Sequence, residues 1–250
     1  MADNFQAYAQ YYDLLYKDKN YKAESEYVIN LLERFHPNIH SVLELGSGSG
    51  NHANFFSKKF NEIHGIERSP EMVGLSMQKN ITGFSAEVGD IASFQTKKKY
   101  DAALSLFHVI SYLNQNDQLI SCFNSVNASL QSGGIFLFDV WYTPAVLHLR
   151  PETRVKRLEN EQVVITRIAE SIVHDRTNVI DVQFEVHVTQ KQSGKTEVLK
   201  ESHPMRHFST PEIQLLAQLT GFDYLHSEEF LTSKMESSST WGVCYVLKKK

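Results

Sequence analysis

The sequence has few cysteines. Its 250 residues include only Cys122 and Cys244, which lie far apart in apolar stretches and form no Cys-x-x-Cys pair. This excludes a disulfide framework, so we expect two small buried side chains in a reducing compartment. His203 and His207 are four residues apart, but Pro204 between them indicates a strand rather than one helix face. We therefore predict no metal site.

The sequence also lacks long apolar runs and an excess of positive charge. No segment approaches the roughly 18 uninterrupted apolar residues that a membrane span requires, and the N-terminal residues do not have the pattern of a targeting peptide. There are 25 Lys and Arg residues against 29 Asp and Glu, a net charge of -4. That sign is wrong for a protein that neutralises nucleic-acid phosphates. We expect a cytoplasmic protein with no membrane and no nucleic-acid partner.

What remains is the composition of an ordered globular protein, with 42% hydrophobic and 22% charged residues. From Ser41 onward, strand patterns alternate with helix patterns, which predicts a parallel sheet covered by helices. The predicted elements are a helix Tyr21 to Phe35, a strand Ser41 to Leu45, a helix Asn51 to Phe60, a strand Ile63 to Glu67, a helix capped by Ser69, strands Phe84 to Val88 and Tyr100 to Leu106, a helix Asp117 to Leu130 closed by Ser132, Gly133 and Gly134, and a strand Ile135 to Val140.

The alternation stops at about Arg154. From there to Phe208 strand follows strand, and the segment VIDVQFEVHV alternates apolar and polar residues, as antiparallel strands with one wet face do. A helix that ends at Gly221 and two strands, Tyr224 to Leu231 and Thr240 to Leu247, then rejoin the core. We predict a core of residues 1–150 and 209–250, and an antiparallel β insert of residues 151–208 that covers a pocket.

A glycine-rich turn carries the strongest local signal. The sequence ELGSGSG, Glu44 to Gly50, lies between the first core strand and a helix, where glycines allow a sharp turn and expose backbone N–H groups to a ligand. Glu67 ends the second strand about 20 residues later, where an acid can accept ribose hydroxyls. A dinucleotide and S-adenosylmethionine are the two alternatives. The G-x-G-x-G spacing and the carboxylate of Glu44, which would repel a diphosphate and attract an ammonium group, favour S-adenosylmethionine.

The motifs ELGSGSG, GIERSPEM, GDIASF, YDAALSLFHVISYL and SGGIFLFDVWYT follow one another in this order. This series resembles the class I S-adenosylmethionine-dependent methyltransferases over nearly the whole chain. The resemblance implies an α/β fold, a seven-stranded Rossmann-like sheet with the antiparallel insertion after strand five, and S-adenosylmethionine as cofactor. The cofactor-binding residues that it implies are Tyr21, Glu44, Gly46, Gly48, Glu67, Arg68, Met72, Asp90, Ile91, Leu106 and Phe107. A turn residue is the alternative interpretation of Asp90.

The segments YAQYYDLLYKDKNY and MRHFSTPEIQLLAQLTGF resemble parts of small-molecule methyltransferases, particularly the N-methyltransferases that act on nucleotide-linked amino sugars. They imply a small-molecule acceptor, an amine of such a sugar, and a homodimer is also considered. The candidate acceptor-binding residues are Tyr12, Tyr16, Tyr112, Trp141, Tyr142 and Arg206. The alternatives left open are an O-methyltransferase, an S-adenosylmethionine-binding protein without turnover, and a dinucleotide oxidoreductase.

His108 is the candidate catalytic residue. It follows strand four, where the resemblance places the acceptor, and an imidazole there can accept a proton or orient an amine or hydroxyl. A histidine with only a structural role is the alternative. Arg206 is a candidate for binding an anionic group such as a diphosphate, or else a charge on a solvated strand face.

Overall fold

The computed structural model describes residues 11–250, which form two compact units. The larger unit contains Asn20–Leu149 and His207–Lys250, and the smaller contains residues 11–19 and Arg150–Arg206. No helix in the described part of the chain combines the length and the apolar content needed to span a membrane.

The larger unit is an α/β structure. Its strands are β1 (Ser41–Leu45), β2 (Glu62–Glu67), β3 (Phe84–Val88), β4 (Tyr100–Ser105), β5 (Leu130–Trp141), β10 (Phe222–Glu229) and β11 (Gly242–Lys249). Its helices are α2 (Tyr21–Phe35), α3 (Ala53–Phe56), α4 (Pro70–Gln78), α5 (Asn116–Ser129), α6 (Thr143–Leu149) and α7 (Thr210–Leu219). The strand order is β10-β11-β5-β4-β1-β2-β3. Strands β1 to β5 pair with one another in parallel, whereas β11 pairs antiparallel with both β5 and β10. This arrangement confirms the predicted seven-stranded Rossmann-like sheet.

Local sequence explains the helices and the core. Asn20 caps α2 by accepting the N–H of Ala23 at 3.0 Å, and Ser69 caps α4 before its first-turn proline. The central strands are apolar on both faces because helices cover both sides of a parallel sheet. Phe123 of α5 contacts the rings of Phe136 and Phe138 edge-on at 5.2 and 5.4 Å. These contacts fix the helix over β5.

Some predicted boundaries are wrong. The helix expected over residues 51–60 is reduced to α3, because Lys58 and Lys59 donate to carbonyls three residues earlier and form turns. The strand expected from residue 135 begins at Leu130, so Gly133 and Gly134 lie inside β5. A Cβ at Gly134 would lie 3.1 Å from the Asp101 carbonyl oxygen, so this glycine allows a close approach of β4. The last two strands each lie two residues away from their expected positions.

The smaller unit is a four-stranded antiparallel sheet in the order β6-β7-β8-β9, preceded by the short helix α1 (Tyr12–Leu15). Its strands are β6 (Arg154–Glu159), β7 (Val163–His174), β8 (Val179–Gln190) and β9 (Thr196–Arg206), which confirms the expected run of strands. Leu15 is fully buried in a cluster with Ile165 and Val186. This packing joins residues 11–19 to the antiparallel sheet, whereas the sequence-based division counts them with the core.

Candidate active site

The loops that follow β1 to β5 lie at one edge of the larger sheet, since parallel strands have their carboxyl ends together. In the turn after β1, Gly46, Gly48 and Gly50 have φ angles of 67°, 54° and 76°. These angles favour glycine, which has no Cβ to clash. The Gly46 N–H donates to the Ile66 carbonyl at 2.7 Å, and a Cβ at Gly48 would meet no atom within 4 Å. The backbone at Gly48 therefore has open space beside it, as a bound ligand requires.

Glu67 connects this glycine turn to the next helix. One of its carboxylate oxygens accepts the N–H of Gly48 and the other accepts the N–H of Ser69, both at 2.9 Å. The carboxylate thus lies beside the turn, where an acid that binds a ribose has to be. Its contact with the ribose stays a prediction.

Glu44 is a buried carboxyl group at the end of β1. Glu44 is 2% exposed, and its Oε2 atom has no hydrogen-bond partner among the described residues. Burial, and then the nearby charge of Glu67, raise the pKa of Glu44 to about 8. A buried carboxyl oxygen without a partner is suited to a cation, so the site fits the ammonium group of S-adenosylmethionine.

Gly65 is a site residue that the sequence reasoning missed. A Cβ at this position of β2 would lie 2.4 Å from the Ser47 Oγ atom and 2.7 Å from its Cβ. Only glycine lets the turn pack this closely against β2. A glycine in the middle of the strand IHGIE is a signal of such an approach.

Tyr21 lies next to the glycine turn through an aromatic contact. Its ring meets the ring of His52 edge-on, with the centroids 4.9 Å apart, and His52 follows Gly50 by two residues. The Nε2 atom of His52 is 2.8 Å from a carboxylate oxygen of Glu24, also in α2. The sequence reasoning did not identify His52 or Glu24, which attach α2 to this turn.

The candidate adenosine-binding residues lie in the loops after β2 and β3. Arg68 is exposed, and Met72 is 3% exposed with its N–H donated to the Ser69 hydroxyl at 3.2 Å. Asp90 is exposed and accepts the N–H of Ala92 at 2.9 Å, which is the geometry of a turn residue. Ile91 packs partly buried against the core. Binding of the adenine edge by these last two residues stays a prediction.

The backbone after β4 is strained. Leu106 is buried, but Phe107 and His108 both adopt left-handed conformations, with φ angles of 65° and 62°. Such conformations cost a residue with a side chain about 1–3 kcal/mol and often occur at functional sites. Val109, the next residue, lies against the turn after β1, because its Cγ atoms would be 2.6 Å from a Cβ at Gly46. His108 is therefore held beside the glycine turn.

Asp139 of β5 holds His108 in this position. Its Oδ2 atom is 2.7 Å from Nδ1 of the imidazole, and its Oδ1 atom accepts the His108 backbone N–H at 3.4 Å. Asp139 is 1% exposed. The sequence reasoning missed this residue, although a single acid in the apolar strand IFLFDVW is a signal.

Two tryptophans lie close to the histidine. The Trp141 ring is 5.9 Å from that of His108 and 6.2 Å from that of Trp241, a residue that the sequence reasoning did not identify. The N–H of Tyr142 donates to the Trp241 carbonyl at 3.0 Å. The structure thus brings the predicted residues Trp141 and Tyr142 to the same strand end as His108.

The remaining candidate acceptor residues belong to both units. Tyr112 ends a 3-10 turn, Val109–Tyr112, and is half-buried. In the smaller unit, the Tyr16 hydroxyl accepts a hydrogen bond from Arg167 at 3.3 Å, and Arg206 ends β9 opposite Val179. The backbone of Tyr12 lies in α1, but its side chain and residues 1–10 lie outside the described residues. Acceptor binding by these residues stays a prediction.

Comparisons with known proteins agree with the fold and with the expected cofactor. A family model described as a methyltransferase domain matches residues 42–134. The chain is 27% identical over 210 residues, 81% of its length and 80% of the relative's, to the dTDP-3-amino-3,4,6-trideoxy-alpha-D-glucopyranose N,N-dimethyltransferase of Streptomyces venezuelae.

Two solved structures share the fold. The structure of DesVI from Streptomyces venezuelae has a TM-score of 0.81 at 21% identity, over 97% of this chain and 98% of that chain. The sugar N-methyltransferase KedS8 from Streptoalloteichus has a TM-score of 0.82 at 21% identity, over 96% of this chain and 92% of that chain. The chain contains a methyltransferase domain, uses S-adenosylmethionine as its cofactor and resembles the amino-sugar N-methyltransferases.

Proposed function

We propose that this enzyme methylates the amino group of a nucleotide-linked amino sugar. The observation that carries the proposal is the similarity, over four fifths of both chains, to a relative named as a dTDP-amino-sugar N,N-dimethyltransferase. Further relatives named for the same reaction on other dTDP-amino sugars match at 23% and 25% identity. The aromatic surroundings of His108 suit a small acceptor with a polar group.

When bound, S-adenosylmethionine would supply an electrophilic methyl group, which an amine lone pair could take up as the C–S bond broke and its electrons stayed on sulfur. The residues of the chain hold and orient the cofactor and the acceptor. In this proposal Glu44 binds the ammonium group and Glu67 the ribose; the buried carboxyl of Glu44, the Glu67 carboxylate beside the glycine turn and the open space at Gly48 support it. His108 is the group that faces the acceptor. Since a neutral amine is already a nucleophile, alignment and exclusion of water contribute most of the rate.

The direct test is transfer of radiolabelled methyl from S-adenosylmethionine. We expect label on a dTDP-linked 3-amino or 4-amino sugar, and none on the matched sugar with a hydroxyl in place of the amine. Label on the hydroxyl sugar alone would show an O-methyltransferase. Binding of S-adenosylhomocysteine without label on any acceptor of either kind would contradict the proposal and favour a protein without turnover.

The role of His108 is tested separately by His108→Asn. If the imidazole orients the amine, we expect kcat to fall about tenfold or less, whereas general-base catalysis is worth about 10²–10⁴ in rate. S-adenosylhomocysteine affinity, measured by calorimetry, controls for a collapsed site. A loss in the larger range with normal cofactor affinity would show that His108 is an essential base.

A further inference from the structure

Asp139 is a carboxylate buried next to the candidate catalytic histidine. We infer that Asp139 is a positioning residue, which keeps the proton of neutral His108 on Nδ1 and leaves Nε2 as the acceptor of a proton from the methylated amine. The inference rests on the proposed function only for the chemical class of the acceptor.

The short contact between Asp139 and the imidazole favours one ring nitrogen as the carrier of the proton. The Asp139 carboxylate contacts both the ring and the backbone of His108, at 2.7 Å from Nδ1 and 3.4 Å from the backbone nitrogen. An ionised carboxylate attracts the positive end of an N–H group, so this contact favours the proton on Nδ1, the nearer ring nitrogen. In a neutral imidazole the other nitrogen then has a free lone pair. No described residue is paired with Nε2 of His108.

The His108 imidazole has neighbours on more than one side. The Trp141 ring lies beside the imidazole. Gly242 is a second neighbour, since a Cβ at its position would be 3.5 Å from Cε1 of the imidazole, an ordinary contact distance. The His108 side chain is 21% exposed, whereas that of Asp139 is 1% exposed. The imidazole is therefore accessible while its carboxylate partner is not.

This arrangement has a chemical consequence for an amine acceptor. Methyl transfer converts the neutral amine into an ammonium group. One N–H bond of that ammonium breaks, its electron pair stays on nitrogen, and the proton forms an Nε2–H bond on His108. The resulting imidazolium is stabilised by the Asp139 carboxylate on its other nitrogen. The proton then passes to water, which restores neutral His108.

The first test reads the tautomer directly, without turnover. In protein labelled with ¹⁵N-histidine and saturated with S-adenosylhomocysteine, we expect ¹⁵N NMR to show neutral His108 protonated on Nδ1. The signals are assigned by their loss in His108→Gln. In Asp139→Asn, whose amide can donate to Nδ1, we expect a shift toward the Nε2–H form. An Nε2–H tautomer in the unmutated protein would overturn the inference, as would an unchanged tautomer in the variant.

The second test is a double-mutant cycle with the acceptor that is turned over. We expect Asp139→Asn to lower kcat by about the same factor as His108→Asn, tenfold or less, with the acceptor KM changed less than kcat, because Asp139 acts only through His108. In a His108→Asn background the same change should alter kcat less than about twofold, because the two residues act as one unit. Full additivity of the two changes would contradict the inference.

Glu228→Gln is the matched control. Glu228 is also a buried carboxylate with a histidine partner, 2.7 Å from Nε2 of His226, but it does not contact His108. We expect this variant to keep kcat within about twofold. If Asp139→Asn does not bind S-adenosylhomocysteine, the tautomer of the unmutated protein decides the question. If no amino sugar is turned over, the proposed function fails, and the tautomer still tests the inference.

Discussion

Glu44 should release a proton when the cofactor binds. Its pKa is raised to about 8 in the cofactor-free protein, by burial first and by Glu67 second. At pH 7 a carboxyl group with that pKa is about 90% protonated. An ammonium group placed next to it favours the ionised form, so binding should lower this pKa and release about 0.9 proton at pH 7.

This proton release sets the direction in which cofactor affinity changes with pH. Because the bound state holds fewer protons, cofactor affinity should rise with pH up to about 8, by up to tenfold for each pH unit between the pKa values of the bound and free states. In Glu44→Gln this dependence should disappear. The variant should bind nearly as well as the unmutated protein at pH 5.5, where Glu44 is protonated, and progressively worse by comparison as the pH rises.

Calorimetry measures the proton directly. S-adenosylhomocysteine is titrated at pH 7 in buffers with different ionisation enthalpies, and the slope of the observed enthalpy is the number of protons released. 5′-Methylthioadenosine, which lacks the amino-acid moiety, should release none and serves as the control ligand. Proton uptake, no release, or an equal release from Glu44→Gln would refute the assignment of Glu44 to the ammonium group.

Three further substitutions test other parts of the site. Glu67→Ala should weaken S-adenosylhomocysteine binding by about 1.5–3 kcal/mol, the range for hydrogen bonds to a charged group. The control Glu71→Ala, at an exposed residue, should leave binding unchanged. If calorimetry gave Glu67→Ala the same affinity as the unmutated protein, the ribose contact would be ruled out. Gly65→Ala should destabilise the protein by about 1–3 kcal/mol in thermal unfolding, because the added Cβ overlaps Ser47 of the glycine turn. The control Gly74→Ala should not, since a Cβ at that position of α4 meets open space. Similar melting temperatures for the two variants would contradict the close packing. Arg206→Ala should raise the acceptor KM and spare cofactor affinity, and steady-state kinetics that show the reverse would mean that this residue acts on the cofactor side.

Local sequence was sufficient for the larger features of the fold. The alternation of strand and helix patterns and the later two-residue periodicity of VIDVQFEVHV predicted the parallel sheet and the antiparallel strands, because burial of one face or both imposes those patterns on neighbouring residues. The glycine turn and Glu67 were equally visible, since a ligand that approaches backbone N–H groups requires glycine at fixed positions. Boundaries were less well defined, as in the late start predicted for β5.

The contacts that complete the site depended on tertiary structure. Asp139 and His108 are 31 residues apart, and they meet because β4 and β5 are parallel neighbours whose carboxyl ends coincide. Ser47 and Gly65 meet for the same reason across β1 and β2. No local pattern records such a pairing, because the free energy that specifies it comes from strand register and packing between distant segments. The sequence thus determined the glycine turn by itself, and only the folded sheet decided which acid holds the histidine.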